Sequence, residues 1–311
     1  MASDTPDRPP LLVWGALVIV YVVWGSTYLG IKIAVETIPP MLSGALRFVT
    51  AAVILGGFLI ARRGWEPFRM TRAQFGGAAL VGLLLLTSGN GLLAVAERSV
   101  SSGLAALLVA SVPLWLVVFR IMARDRPKVL TLAGVLVGFG GVAALSLSGG
   151  GGPASTSGIV VVLVASLSWS VGSFLSARIP MPANSFAAST IEMLVGGAGL
   201  AVTGLSVGER LDVSAVSGRS WAGLVYLILV GSLVGFTAYS WLLSNAPISL
   251  VSTYAYVNPA VAVLLGALVL SEQVTWQIML GGLVILLGVA LVVSTERRPK
   301  VKRLTPEEVR A

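Results

Sequence analysis

Two ionisable side chains lie inside apolar stretches of the sequence. Arg47 falls within residues 41–61 and Glu192 within residues 185–206, which are otherwise uncharged. A charge near the centre of a membrane helix costs about 2.5 to 3.5 kcal/mol, so each should face protein, water or a partner. Glu192 is also the candidate acid for proton coupling. We interpret both as groups of a gate or polar vestibule at either end of a central path through the membrane. The alternative is a structural role, in which each ties helix ends through hydrogen bonds.

Polar and aromatic side chains also occur near the middle of apolar stretches. Aromatic rings combined with hydroxyls and an amide form pockets for small amphipathic molecules, including a cation over an indole face. For any single Trp or Tyr, a place in the interfacial belt or in helix packing is the simpler alternative. The predicted substrate contacts are Trp24, Ser26, Asn90, Ser111, Trp115, Trp169, Tyr239, Tyr254, Tyr256 and Asn258.

Two prolines lie near the middle of their apolar stretches. Pro113 and Pro259 lack the N–H that a helix needs, so each leaves backbone carbonyls without partners. In a membrane, such carbonyls are tolerated only against protein or a water-lined cavity. We interpret both prolines as hinges. The small residues Gly103, Ala105 and Ala106 favour an alternative in which these helices mediate packing.

The composition indicates that these residues belong to membrane helices. Hydrophobic residues make up 56% of the chain and charged residues 11%, and the mean hydropathy is +0.93. Helices of about 20 apolar residues cross about 30 Å of hydrocarbon. The loops between them are too short for a soluble domain, so we predict an all-α integral membrane protein. Its ten predicted spans are residues 11–32, 41–61, 75–95, 101–121, 129–148, 158–178, 185–206, 220–243, 249–270 and 276–294.

The basic residues predict the orientation in the membrane. When the loops are assigned alternately to the two sides, most of the 21 Lys and Arg fall on the side of the N-terminus. The positive-inside rule therefore places both termini in the cytoplasm, with ten crossings between them. This asymmetry explains the net charge of +8 without a nucleic-acid partner.

The sequence contains an internal repeat. Residues 76–113 align without a gap over residues 222–259, and a similar shift places Arg47 on Glu192. Because five helices per copy is an odd number, the second copy must enter the membrane from the opposite side, as in many secondary transporters. The predicted domains are a first repeat at 1–148, a Gly-rich linker at 149–157, a second repeat at 158–296 and a basic cytoplasmic tail at 297–311.

Several kinds of catalytic or metal site are absent from the sequence. It has no cysteine and no histidine, which excludes disulfides and thiolate metal sites and removes the commonest metal ligand. It has no phosphate-binding loop and no pairing of a nucleophile with a base. No lysine lies at mid-membrane depth, which disfavours sugar phosphates and nucleotides as substrates. We therefore predict no enzyme activity, cofactor or metal.

Three segments resemble a known family. They are WGSTYLGIKIAVETIPPMLSGALRF, GNGLLAVAERSVSSGLAALLVASVPLW and TYAYVNPAVAVLLGALVLSE. Together they are similar to the EamA-type branch of the drug/metabolite transporter superfamily, and to its YddG and YedA group of bacterial inner-membrane exporters. The resemblance runs from about residue 12 to residue 294. It implies ten helices in two inverted five-helix repeats, a central cavity opened alternately to either face, and export of amino acids or their analogues.

From these observations we predict a multi-pass transporter of the bacterial inner membrane. It would export small amphipathic metabolites, with amino acids as the expected substrates, by alternating access around a cavity walled by helices one, three, four, six, eight and nine. A broad-specificity drug efflux pump would use the same architecture. A passive channel is disfavoured because no ring of charges or carbonyl filter is evident. The predicted partners are a small-molecule substrate and the lipid bilayer, with no nucleic acid and no obligate protein partner.

Overall fold

The computed structural model describes residues 11–124, 127–148, 155–235, 238–239, 242 and 253–295, without the side chains of residues 255 and 256. Within these residues every regular element is helical, and none is a strand. The long helices are α1 (Leu11–Ala34), α2 (Pro40–Arg63), α3 (Arg72–Ala96), α4 (Ser102–Met122), α5 (Val129–Leu147), α6 (Thr156–Ser176), α7 (Ser185–Ser206), α8 (Gly218–Val234), α9 (Tyr254–Leu270) and α10 (Trp276–Thr295). Two short 3₁₀ turns, Glu66–Phe68 and Val213–Ala215, lie in the connections.

Most of these helices have the length and composition of membrane spans. Eight of them, all except α8 and α9, are long and apolar enough to cross a membrane. The apolar segments Gly218–Val234 and Val257–Leu270 are shorter. The predicted end of span eight and start of span nine, residues 243–252, lie outside the described residues, as do 149–154 and 296–311. The prediction of an all-helical membrane protein is confirmed, and ten crossings stay a prediction.

The starts of several helices follow from local sequence. Ser101, Ser155 and Ser217 each accept a hydrogen bond from a backbone N–H of the first turn that follows. Asn184 does the same for α7, with N···O distances of 3.0 and 3.1 Å. Such side chains satisfy amides that a helix cannot pair internally.

Two helix starts are capped by glutamates from distant parts of the chain. Glu209 accepts hydrogen bonds from the first amides of α2, at 3.2 and 3.0 Å. Glu272 accepts from the backbone N–H and the hydroxyl of Ser102 at the start of α4, both at 2.9 Å. A carboxylate is favourable at the positive end of a helix dipole. These contacts tie the first half of the chain to the second.

The packing of the helices has the same pattern in both halves of the chain. Helix α2 packs along α7, and α5 packs along α10. Helix α1 packs against α8 and α9, while α6 packs against α3 and α4. When α1 to α5 are exchanged in order for α6 to α10, so that α1 takes the place of α6 and the reverse, this set of contacts is unchanged.

Three helices depart from regular α geometry near the centre of the bundle. Helix α3 contains a π-helical segment at Leu83–Asn90, and α8 contains another at Leu227–Val234. Helix α4 is interrupted between Val109 and Val112. Local π-helical geometry is often found at functional sites. The two π-helical segments occupy similar places in the aligned repeats.

The two prolines differ in their effect on the backbone. Pro113 lies at the start of the second part of α4, directly after the interruption. Pro259 lies inside α9, which continues through it. The hinge role of both residues stays a prediction.

Candidate functional site

A cavity of about 130 Å³ lies among α1, α2, α3, α4, α6, α8 and α9. A cavity needs about 10 to 15 Å³ of such volume to hold one water molecule, so this one has room for several water molecules or a small solute. The helices predicted to form its wall all contribute, and α2 contributes as well. The aromatic residues of the lining are Trp24, Tyr28, Phe48, Trp169 and Tyr254, and its polar residues are Thr27, Arg47, Asn90, Ser166 and Asn258.

One face of α1 supplies a large part of the wall. Trp24, Thr27, Tyr28 and Ile31 all line the cavity. Their spacing of three, four and seven residues places them on one side of a helix. The local sequence therefore explains why these four side chains point the same way.

The aromatic wall is held together by contact between α1 and α9. Gly25 permits this contact, because a Cβ at that position would lie 2.6 Å from the Cβ of Val261. The rings of Trp24 and Tyr254 consequently meet edge to face, with centroids 5.1 Å apart and an interplanar angle of 87°. This is a favourable geometry for two aromatic rings.

Arg47 is the charged residue of the described cavity wall, and its side chain is only 6% exposed. Its Nε donates to Ser232 Oγ at 3.0 Å, and its Nη1 donates to Asn90 Oδ1 at 3.5 Å. Its guanidinium carbon lies 4.7 Å from the centre of the Phe48 ring. Both hydrogen-bond acceptors are neutral, and no carboxylate among the described residues forms an ion pair with Arg47.

The hydrogen bonds of Arg47 join the two π-helical segments. Asn90 is the last residue of the segment in α3, and Ser232 belongs to the segment in α8. A cation on α2 is therefore held by acceptors from both halves of the chain. The guanidinium is fixed in orientation at the cavity wall.

Asn258 also has partners that fix its side chain at the cavity. With its amide oriented so that the nitrogen faces backbone carbonyls, it donates to Tyr21 O at 3.3 Å and to Tyr254 O at 3.2 Å. These bonds link α9 to α1 and leave the amide oxygen as an acceptor.

The structure brings many of the predicted site residues together. Those that line the cavity are Trp24, Arg47, Asn90, Pro113, Trp169, Tyr254, Asn258 and Pro259. The side chain of Tyr256 lies outside the described part of the chain.

Other predicted contacts lie away from the lining. Ser26 is buried, donates to the carbonyl oxygen of Val23 and shares a hydrogen bond with the hydroxyl of Tyr226. Tyr239 packs behind Trp24, with ring centroids 4.7 Å apart. Tyr239 therefore contacts a wall residue without lining the cavity, whereas Ser26 bonds to residues outside the lining.

Ser111 and Trp115 are also absent from the lining. The Ser111 hydroxyl and the indole N–H of Trp115 are buried, and neither has a hydrogen-bond partner among the residues that the structure describes. The Trp115 ring packs on Phe139, with centroids 4.7 Å apart. Ser111 lies in the interruption of α4 between Val109 and Val112.

The predicted pair of gate residues is divided between two environments. Arg47 lines the cavity, whereas Glu192 on α7 is not among its lining residues. The Glu192 carboxyl group has no hydrogen-bond or ion-pair partner among the described residues.

Some residues at or near the site were missed by the sequence analysis. Tyr28 and Phe48 line the cavity, and Ser232 holds Arg47. The signal for Tyr28 was its place one helical turn after Trp24, and for Phe48 its place beside Arg47. No sequence signal marks Ser232, which is one of many serines in apolar stretches.

Glu97 is a second buried carboxyl group that the sequence analysis did not identify. It is fully buried, and neither of its carboxyl oxygens has a hydrogen-bond partner in the described part of the chain. Nearby, Lys32 Nζ donates to the backbone carbonyls of Glu97 and, at 2.8 Å, of Val100. Because Glu97 directly follows α3 and precedes Arg98, its position in the sequence is typical of an exposed loop.

Comparison with known proteins identifies the family. The model of the EamA-like transporter family matches residues 12–147 and, a second time, residues 156–294. This chain belongs to the EamA-like transporter family. A relative in this family, the uncharacterized inner membrane transporter YedA of Escherichia coli (strain K12), is 40% identical over 262 residues, which cover 83% of each chain.

More distant relatives of this EamA-like chain are also transporters. The uncharacterized transporter YvbV of Bacillus subtilis (strain 168) is 23% identical over 285 residues, covering 91% of this chain and 92% of YvbV. A solved crystal structure with 20% sequence identity matches with a TM-score of 0.64, over 94% of this chain and 100% of the other, and so shares the fold. The chain is thus a multi-pass membrane transporter, and similarity to YedA supports an inner-membrane location.

Proposed function

We propose that this chain is a secondary transporter that exports small amphipathic metabolites, with amino acids as the expected substrates, by alternating access around the central cavity. The observation that carries the proposal is the cavity itself. It lies among helices from both halves of the chain, has a largely apolar wall that includes five aromatic residues, and contains one buried guanidinium. Such a mixture of apolar surface and a few fixed polar groups suits a small amphipathic solute.

The proposed architecture is ten crossings in two inverted repeats, at residues 1–148 and 158–296, joined by a linker at 149–157. The double match to the family model supports this division. The exchange of helix contacts between the halves and the paired π-helical segments support it further. With both termini and the basic tail at 297–311 in the cytoplasm, the distribution of Lys and Arg follows the positive-inside rule.

The proposed cycle rocks one group of helices against the other around the cavity. The interruption of α4 beside Pro113, and Pro259 within α9, lie at the cavity wall and are the proposed hinges. The proposed solute contacts are the lining residues Trp24, Asn90, Trp169, Tyr254 and Asn258. Ser26, Ser111, Trp115 and Tyr239 would support this wall from behind.

A counterflow assay in proteoliposomes tests the proposal. A panel of labelled amino acids and structurally unrelated cationic drugs is offered with and without a proton gradient. We expect exchange of amino acids with apolar side chains. Exchange of the drugs instead would identify an efflux pump, continuous single-channel currents would identify a channel, and no exchange of any solute would contradict the proposal.

A variant of the cavity wall sharpens this test. Trp169→Ala removes an aromatic side chain from the lining and should slow exchange about tenfold, the effect of losing about 1.4 kcal/mol of binding. The matched control is Trp276→Ala, because Trp276 on α10 is 66% exposed on the outer surface. Equal rates for the two variants would contradict the assignment of the cavity as the solute site.

A further inference from the structure

We infer that the cavity recognises the carboxylate group of its solute through Arg47, and that an ammonium group on the solute is not required. The inference rests on the proposed function and names the solute class as small carboxylates with an apolar or aromatic body. Amino acids belong to this class, and so do the corresponding acids without the amino group.

The first step of the argument is the charge of Arg47. A buried cation is strongly unfavourable unless an anion compensates it. Arg47 is 6% exposed, and its hydrogen-bond acceptors are the neutral groups of Ser232 and Asn90. No described carboxylate forms an ion pair with it, and Glu97 acts on it only at longer range, without a direct contact. An anion that enters the cavity would supply the direct ionic contact that Arg47 lacks among the described residues.

The second step is the geometry of the guanidinium. It has five N–H donors in a rigid fork, which matches a carboxylate with two parallel hydrogen bonds. The bonds to Ser232 and Asn90 involve Nε and Nη1. The remaining nitrogen, Nη2, lies beside Gly231, where an added Cβ would be 3.4 Å from Nη2 and 3.1 Å from Thr27 Cγ2. Since Gly231 lines the cavity, Nη2 lies at the cavity wall, beside a position where any side chain would crowd it.

The third step is the absence of a matching anion for an ammonium group. Among the described residues that line the cavity there is no Asp and no Glu. Glu97 is buried, but it is not part of the lining. An ammonium group would be offered only aromatic faces and neutral oxygens, whereas a carboxylate would be offered a full positive charge. The carboxylate therefore dominates recognition.

The fourth step is the place of the solute's apolar part. Trp24, Trp169 and Tyr254 line the same cavity as Arg47. Aromatic surface of this kind stabilises an apolar body by burial. A solute with a carboxylate at one end and a ring or branched chain at the other fits both features.

The experiment uses four solutes with the same phenyl group. They are phenylalanine, 3-phenylpropionate, 3-phenylpropionamide and phenethylamine, which carry both charges, only the carboxylate, neither charge and only the ammonium group. Binding to the purified full chain is measured by titration calorimetry, and competition with labelled phenylalanine is measured in counterflow. We expect phenylalanine and 3-phenylpropionate to bind within about threefold of each other. The amide and the amine should bind at least tenfold more weakly.

Variants of Arg47 connect this preference to the proposed residue. Arg47→Gln should abolish the preference for 3-phenylpropionate over 3-phenylpropionamide, and Arg47→Lys should retain part of that preference. The matched control is Arg63→Gln, because Arg63 is an exposed residue at the end of the same helix. Thermal melting and size-exclusion profiles show whether each variant is folded, and the four-solute comparison on the unmodified chain needs no variant.

The outcomes separate this inference from the proposed function. If amino acids are exchanged but 3-phenylpropionamide or phenethylamine binds as tightly as 3-phenylpropionate, the inference is wrong and the transporter proposal stands. If phenylalanine binds but 3-phenylpropionate does not, the ammonium group is required and the inference is again wrong. A folded Arg47→Gln variant that keeps the carboxylate preference also overturns it. If no solute is bound or exchanged, both proposals fail.

Discussion

Arg47 on α2 and Glu192 on α7 occupy matching places in the two halves of the sequence, yet their surroundings differ. Arg47 lines the cavity and donates to Ser232 and Asn90. Glu192 is not part of the lining, and its carboxyl group has no hydrogen-bond or ion-pair partner among the described residues. Helices α2 and α7 nevertheless pack along each other, as equivalent helices would. The two halves therefore share the packing of their helices, but their charged residues lie in different surroundings.

Because of this difference, the described cavity wall carries a positive charge and no negative charge. A repeated pair of opposite charges could have formed an internal ion pair, which would leave no charge for a solute. Here the cation faces the cavity and the acid does not. The comparison predicts that changes at Arg47 and its partners affect transport strongly, and that changes at Glu192 affect it weakly.

The largest effect is expected from reversing the charge of the cavity. Arg47→Glu replaces the cation with an anion that repels carboxylates, so phenylalanine counterflow should fall at least about a hundredfold, equivalent to about 2.8 kcal/mol. The control is Arg63→Glu on the exposed end of α2, which should exchange phenylalanine at close to the original rate. Normal exchange by a folded Arg47→Glu protein would show that this side chain does not contact the solute.

An intermediate effect is expected from loosening Arg47 while keeping its charge. Ser232→Ala removes the acceptor that holds Nε at 3.0 Å. Because a hydrogen bond to a charged group contributes about 1.5 to 3 kcal/mol, we expect an approximately tenfold weaker affinity for phenylalanine by calorimetry. Ser206→Ala provides the control, since Ser206 is exposed at the end of α7. Equal affinities of the two variants would indicate that Ser232 does not position the guanidinium.

The smallest effect is expected at the position equivalent to Arg47. Glu192→Gln keeps the size of the side chain and removes its charge. Since Glu192 does not line the cavity, phenylalanine counterflow should change less than about twofold. The same variant should respond to an imposed proton gradient as the unmodified chain does. Loss of a proton response in Glu192→Gln alone would identify Glu192 as the coupling acid and contradict the comparison.

The membrane helices could be predicted from the sequence because their signal is local. A run of about 20 apolar residues is sufficient to mark a span. The predicted starts and ends of α1 to α7 lie close to those of the structure. Pairing between the halves was also visible, since residues 76–113 and 222–259 align without a gap.

The positions of individual side chains were harder to predict. Trp24 and Ser26 are two residues apart, so they point to different sides of α1, and only Trp24 lines the cavity. A membrane helix is apolar on all sides, so no amphipathic pattern shows which face is inward. The same reason applies to Ser111 and Trp115, which are buried away from the lining.

Long-range partners could not be predicted at all. Arg47 bonds to Ser232, which lies in the other half of the chain. Glu97 is fully buried although it directly follows the last residue of α3. Both facts depend on how the helices pack, and that information is not contained in any short segment.

The most direct test of the central claim is side-specific access to the cavity. The chain contains no cysteine, so Val109→Cys introduces a single thiol at the cavity wall. A charged, membrane-impermeant methanethiosulfonate reagent is added from either side of the membrane, with and without phenylalanine, and Leu136→Cys on the exposed outer surface serves as the control. We predict that the Val109→Cys thiol reacts from both sides and that phenylalanine slows the reaction. A thiol that reacts from neither side, or at the same rate with phenylalanine present, would contradict a solute cavity that opens alternately to the two faces.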